Sequence, residues 1–379
     1  MNYLDYAAST PVCTQALELF CELSVNHYAN ASSLHDAGSE ANGVLRYCRE
    51  QLAVYLEGCA DRVFFTGGGT EANIFAIISL AKALPAQRRH ILVSQMEHSS
   101  VQHAMSMLSE QGFSVSILQP NQYGMVTTER LEAQLRPNTG LVSVQHANSE
   151  TGIIQPIAML AKRLRKDGIL LHTDAVQTFG KLEVSHAVLG ADAITLASHK
   201  VYAPKGVGVV SLGPNVAWQP LYPSSSHEGG FRPGTVNVPL IGAFVAACEA
   251  IWPSRSADRE HTRSLRDRLI AGIEKQSLPI RYFSPSAYDV LPGIFGAFYQ
   301  GLEGQYVMLT CNRHGVCIAT GSACRATEQG LSPALKALGL SHHQGAQYIR
   351  ISFGRGSTIA DIDALLDVLA RLAQHQHQR

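Results

Sequence analysis

Between residues 60 and 212, short apolar runs alternate with segments of helical period. The runs are RVFFT (62–66), HILVS (90–94), SVSIL (114–118), GLVSVQHA (140–147), GILLHTD (168–174), AITLAS (193–198) and GVGVVSL (206–212). Each has a strand's length, and several are bounded by turn formers. The stretches 71–83, 98–112, 127–135 and 156–167 between them read as helices. This alternation predicts an α/β fold, a mostly parallel sheet flanked by helices on both faces. Only the turn 199–205 separates the last two strands, so one edge of the sheet is expected to be antiparallel.

The flanks have their own periodicity. Residues 36–57 place Ala41, Val44, Leu45, Cys48, Leu52 and Tyr55 at helical spacing, which gives an amphipathic helix. A Ser/Gly/Pro-rich loop (222–239) precedes a long helical stretch from about 240, and a second α/β region closes with a striped helix at 357–372. Two domains are therefore expected: a large one of 15–250, and a smaller α/β one of 1–14 and 251–379 carrying a loop at 318–332. The N-terminal arm is expected to pack on the smaller domain, and the terminal QHQHQR to fray.

Composition narrows the function. Thirty basic residues balance thirty acidic ones, so no general field favours nucleic acid or an anionic membrane. No apolar run reaches the length of a membrane span, and MNYLDYAASTPV lacks the features of a signal peptide, so the expected location is cytoplasmic. The eight cysteines include no CxxC pair, which argues against a disulfide framework and a zinc site; no metal is expected. Most of these cysteines are expected to be small buried hydrophobes.

Four segments carry candidate chemistry. FFTGGGTEANIFAI (64–77) is strand, glycine turn and helix, so the helix N-terminus at Gly69 and Thr70 could hold a phosphate; a tight turn with a capping Thr explains it equally well. In LLHTDAVQTFGK, Asp174 ends a strand at the edge where open α/β sheets bind ligands. It could face a protonated heterocyclic nitrogen or cap the next segment, and Gln177 follows about one helical turn later. In ITLASHKVYAPKGVGVV, Lys200 also follows a strand; a partly desolvated lysine becomes a nucleophile, although a surface lysine is the bland reading. Phosphate loop, strand-end Asp and strand-end Lys together are what pyridoxal 5'-phosphate needs. In GVCIATGSACRATEQGLSP, Cys324 sits among small residues beside Arg325, which favours an accessible thiolate. Burial in strands explains Cys311 and Cys317 better than a metal does.

Three further positions are bland one by one. His98 follows a strand as a structural histidine would, Asn148 suits a turn, and Arg350 between Ile349 and Ile351 needs an anionic partner, either a substrate carboxylate or a structural acid.

In order along the chain, YLDYAASTPV, NASSLHDAG, FFTGGGTEAN, MEHSSV, HANSETGIIQPI, HTDAVQTFGK, ASHKVYAPKGVG, GFRPGTVNVP, TGSACRAT and IRISFGR resemble the signature blocks of NifS/IscS-type cysteine desulfurases. The resemblance implies the pyridoxal-phosphate-dependent transferase fold of type I, the class V aminotransferase family and a homodimer. By that resemblance Lys200 holds the cofactor, His98 stacks on its ring and takes part in catalysis, and Asp174 faces the ring nitrogen. Gln177 and Asn148 lie near the ring oxygen or face; Asn148 is also placed by the substrate. Gly69, Thr70, Ser198 and His199 take phosphate-side positions, and Thr235 reaches a phosphate across the dimer. Arg350 matches the arginine for the L-cysteine carboxylate, and Cys324 the persulfide carrier that passes sulfur to an acceptor protein. Ala197 departs from the pattern, standing where a phosphate-contacting hydroxyl is common. An aminotransferase or selenocysteine lyase is the alternative on the same fold, and a sulfur- or metal-trafficking protein using Cys311, Cys317 and Cys324 the alternative from another class.

Overall fold

The computed structural model describes residues 1–283, 289–321 and 331–377. The chain opens with a two-residue strand, β1 (Asn2–Tyr3), and the apolar runs then follow as seven strands. These are β2 (Val63–Thr66), β3 (His90–Ser94), β4 (Ser114–Leu118), β5 (Thr139–Ser143), β6 (Leu170–Asp174), β7 (Ala193–Ala197) and β8 (Gly208–Leu212). They form one sheet in the order β2-β8-β7-β6-β5-β3-β4.

Runs without polar alternation form strands here because both faces of the sheet are covered. Phe64, Ile91 and Leu141 pack into a core with Ala72, Ile77 and Val101 from the helices Gly69–Ala83 and Ser99–Glu110. Their neighbours Phe65, Leu92 and Val142 point the other way, into a core with Leu160 and Phe244 from the helices Ile157–Arg165 and Val238–Ile251. The edge strand β4 is the least buried, as its Ser-Val-Ser-Ile alternation requires.

The expected antiparallel edge is present, and the structure adds where its reversed strand sits. The pairs β3–β4, β3–β5, β5–β6 and β6–β7 are parallel, and β8 runs antiparallel to both β7 and β2. The reversed strand therefore lies one in from the edge. Two reversals restore the direction, so β2, β3, β5, β6 and β7 all end at the same side of the sheet.

Five further strands, β9 (Ile280–Tyr282), β10 (Ile294–Tyr299), β11 (Val316–Cys317), β12 (Ala319–Thr320) and β13 (Tyr348–Ser352), lie beyond this sheet. Four of them form an antiparallel sheet in the order β12-β13-β10-β9, and β1 pairs with β11. The helices Arg255–Lys275 and Ile359–His377 share its core, where Gly272 leaves room for Leu366. Leu4 is buried in that core too, which fixes the N-terminal arm there as expected.

Other boundaries differ for local reasons. The helical stretch from 240 breaks at Trp252–Ser254, where Pro253 cannot continue an α-helix. The strand expected over 140–147 ends at Ser143. The last helix continues through the terminal tract as far as His377, with Gln376 donating to the Gln300 carbonyl at 3.1 Å; the tract's last two residues, also expected to fray, lie outside the described residues.

Cys48, Cys248 and Cys311 are buried, and burial pushes the Cys48 and Cys311 thiols up to about 12. Against expectation, Cys21 and Cys59 are exposed, and Cys311 sits on the helix Gly304–Arg313 rather than a strand. Among the described residues no group of three or more His, Cys, Asp and Glu could hold a metal, and no helix is long and apolar enough to cross a membrane.

Two buried histidines, His172 in β6 and His146 just beyond β5, predict acid sensitivity. His172 lies between Ser143 and Thr195, and His146 bonds Thr178 Oγ1 at 2.9 Å. Burial lowers His172 to about 3 and His146 to about 4, from 6.5. Below 6.5 the unfolded chain therefore binds more protons than the folded one, and stability falls with pH. Together they are expected to remove about 2–3 kcal/mol between about pH 7.5 and pH 5.5. Urea unfolding at the two pH values checks this; equal midpoints would contradict it.

Candidate active site

Strand ends bring the expected residues to one edge. Asp174 closes β6 and is 8% exposed; the turn that follows, not a helix, returns its Val176 N–H to Asp174 Oδ1 at 2.9 Å. Lys200 ends the single 3₁₀ turn Ser198–Lys200 after β7 and is 9% exposed. A burial that deep separates it from a snorkelling surface lysine. Its Nζ donates to the carbonyls of Ala7 at 2.5 Å and Ala8 at 2.7 Å. Gln177 Nε2 donates to the same Ala7 carbonyl at 3.0 Å, which brings the two side chains together. Gln177 Oε1 is buried and has no hydrogen-bond partner among the described residues.

A second chain of bonds ties His98 to Asp174. His98 caps the helix Ser99–Glu110, and its Nδ1 lies 2.8 Å from Ser100 Oγ. Asn73 Nδ2 donates to Ser100 Oγ at 3.0 Å and to Asp174 Oδ2 at 2.7 Å, and Thr195 Oγ1 donates to Asn73 Oδ1. Burial lowers the His98 pKa; Asp174 opposes this and Lys200 reinforces it, so the imidazole is neutral at neutral pH. Glu97 beside it is buried, and the loss of water holds its carboxyl well above the usual range.

The glycine turn lies against the same edge. Gly68 has φ +152, open to glycine, and precedes the helix Gly69–Ala83. A Cβ on Gly69 would lie 3.1 Å from Ala197 Cβ and 3.2 Å from Val176 Cγ2. Thr70 is exposed in the first turn, and the N-cap is Gly68, so Thr70 does not cap. Ser198 is buried and donates its hydroxyl to the Pro204 carbonyl at 2.5 Å. His199 is brought down to about 4 by burial first and then by Lys200, Lys205 and Lys181.

The other positions show how the site is framed. Asn148 builds a turn, accepting from the Glu150 and Thr151 N–H groups at 2.9 Å and donating to Met96 O at 3.1 Å. Arg350, mid-strand in β13, donates to Asp5 Oδ1 at 2.8 Å and to Ser149 O at 3.1 Å, while its buried Nε has no partner among the described residues. Thr235 is exposed in its loop, and Cys324 lies outside the described residues.

The motifs did not single out Asn73, Ser100, Asp5 or the carbonyls of Ala7 and Ala8. Asn73 had one visible signal, a polar residue at a position of ANIFAIISLA that the helical period buries.

Comparison with known proteins agrees in fold and sequence. Residues 2–365 match the family model described as aminotransferase class-V. A Bacillus subtilis (strain 168) protein, provisionally named cysteine desulfurase NifS, is 50% identical over 97% of this chain and 93% of its own. A solved NifS-like protein superposes with a TM-score of 0.90 at 29% identity, covering 98% of this chain and 99% of its own. A structure described as SspA in complex with cysteine gives a TM-score of 0.82 at 30% identity, over 93% of this chain and 99% of that one.

Proposed function

Because the chain belongs to the class-V aminotransferase family and is a cysteine desulfurase of the NifS type, we propose that it uses pyridoxal 5'-phosphate to take sulfur from L-cysteine and load it on Cys324. The observation that carries the site assignment is the meeting of a buried amine, Lys200, with Gln177 Nε2 on the Ala7 carbonyl, which leaves Gln177 Oε1 orphaned beside the buried Asp174.

These groups fit the cofactor. Lys200 offers an amine to its aldehyde, Asp174 a carboxylate to its ring nitrogen, and Gln177 Oε1 an acceptor that none of the described residues uses. Gly69, Thr70 and the helix N-terminus suit its phosphate, with His199 and Thr235 of the partner subunit as further contacts; Ser198, whose hydroxyl and N–H donate to the Pro204 and Val207 carbonyls, would have to release one of these bonds to join them. When bound, the cofactor supplies an electron-withdrawing ring that stabilises negative charge at the substrate Cα.

The chain's own residues then divide the work. Arg350 keeps donors beyond those given to Asp5 and Ser149, enough to hold a carboxylate beside Asn148. Lys200 takes the Cα proton, and neutral His98 can accept one beside it. Asp174 opposes the positive ring nitrogen and keeps it protonated. The Cys324 sulfur bonds the substrate sulfur, the substrate C–S bond breaks and its Cβ takes a proton. Cysteine and a thiol thus become alanine and a persulfide, with no outside oxidant.

The same reading makes the protein a cytoplasmic homodimer that passes sulfur to an acceptor protein for iron-sulfur assembly or thiolation. It divides the chain into 15–250 and 1–14 with 251–379, a division supported by the separate cores on the two sheets. Cofactor-loaded protein given L-cysteine is expected to form alanine, and Cys324→Ala to lose that activity while keeping its visible spectrum. Alanine formed equally well by Cys324→Ala would instead indicate a lyase that does not use this thiol.

A further inference from the structure

A cleft lies between the two cores, bordered by Gln177 and Ala7 but reaching away to Lys181, Ile251, Leu291 and Phe353. Its polar lining is unbalanced. Lys181, Arg255, Arg259 and Arg355 face one carboxylate, Asp258, which lies 3.8 Å from Arg355 Nε. Lys181 Nζ donates to the Gln177 carbonyl at 3.0 Å, and among the described residues no acid pairs with Lys181 or Arg259. The chain as a whole is neutral, so the excess is local. Cations held beside apolar walls without counter-charges favour an anion.

We propose that this cleft binds a small carboxylic acid with an apolar body, its carboxylate between Lys181 and the arginines and its body against Ile251, Leu291 and Phe353. The site is separate from the substrate arginine, Arg350, and does not depend on the desulfurase reading. Occupancy has a proton signature. Burial first, then the charge of Lys200, brings the Lys181 ammonium down to about 7, and an adjacent carboxylate raises it again. The lining holds no histidine, and burial pushes Tyr202 up to about 12, so proton uptake near neutrality reports Lys181.

Calorimetry of the cofactor-loaded protein with benzoate, at about pH 8 in two buffers of different ionisation enthalpy, tests this. Saturable binding with proton uptake is expected, with affinity at least about tenfold weaker in Lys181→Met and in Arg259→Gln, and no binding of benzamide. Arg259 is exposed, so its replacement leaves both cores intact. No saturable binding, equal binding of benzamide, displacement by L-alanine, or unchanged affinity in both variants would overturn the proposal.

Discussion

Lys200→Ala is expected to lower alanine formation from cysteine at least about 10³-fold. The variant removes both the amine that holds the cofactor and the base at the substrate Cα. In the wild type, borohydride should fix the cofactor's mass on the peptide containing Lys200; in the variant it should fix none. The fold should survive, because the Ala7 carbonyl keeps its bond from Gln177. A variant that still carries the cofactor covalently would mean that another amine does this work. Lys181 is one alternative, but its bond to the Gln177 carbonyl places it along the cleft.

Asp174→Asn should cost about 10²–10³-fold in kcat, the scale of removing one electrostatic partner from a preorganised site. Asparagine keeps the shape and can still pair with Asn73, so lost packing does not explain the loss. What disappears is the negative charge opposite the ring nitrogen. A second readout separates this from simple damage: Asp174 raises the His98 pKa, so in the variant His98 should stay neutral to lower pH. Imidazole titration by NMR shows the direction, and a His98 pKa that rises or stays put would remove Asp174 from the network.

Much of this architecture was legible in the chain. Doubly covered strands leave unbroken apolar runs, and strand ends in a parallel sheet share an edge, so Asp174 and Lys200 could be placed without coordinates. The reversed strand was legible only in part, because the short turn after Lys200 announces an antiparallel neighbour but not that β2 will cover its far side. The break at Pro253 carried its own signal within a run of otherwise helical period.

The missing pieces of the site share a physical cause. Ala7 and Ala8 act through backbone carbonyls, which leave no trace in residue identity. Asp5 meets Arg350 across 345 positions, and Asn73 meets Asp174 across 101, separations that no local pattern encodes. The expectation that Arg350 needs an acid was sound, and Asp5 is that acid in the structure. A substrate carboxylate must therefore share this arginine rather than find it unengaged.

The most direct test of the account is the mass of the peptide bearing Cys324 after cofactor-loaded protein meets L-cysteine under non-reducing conditions. One added sulfur atom on Cys324, matched by an equal amount of alanine, is the predicted result. Alanine formed while Cys324 gains no sulfur would contradict it.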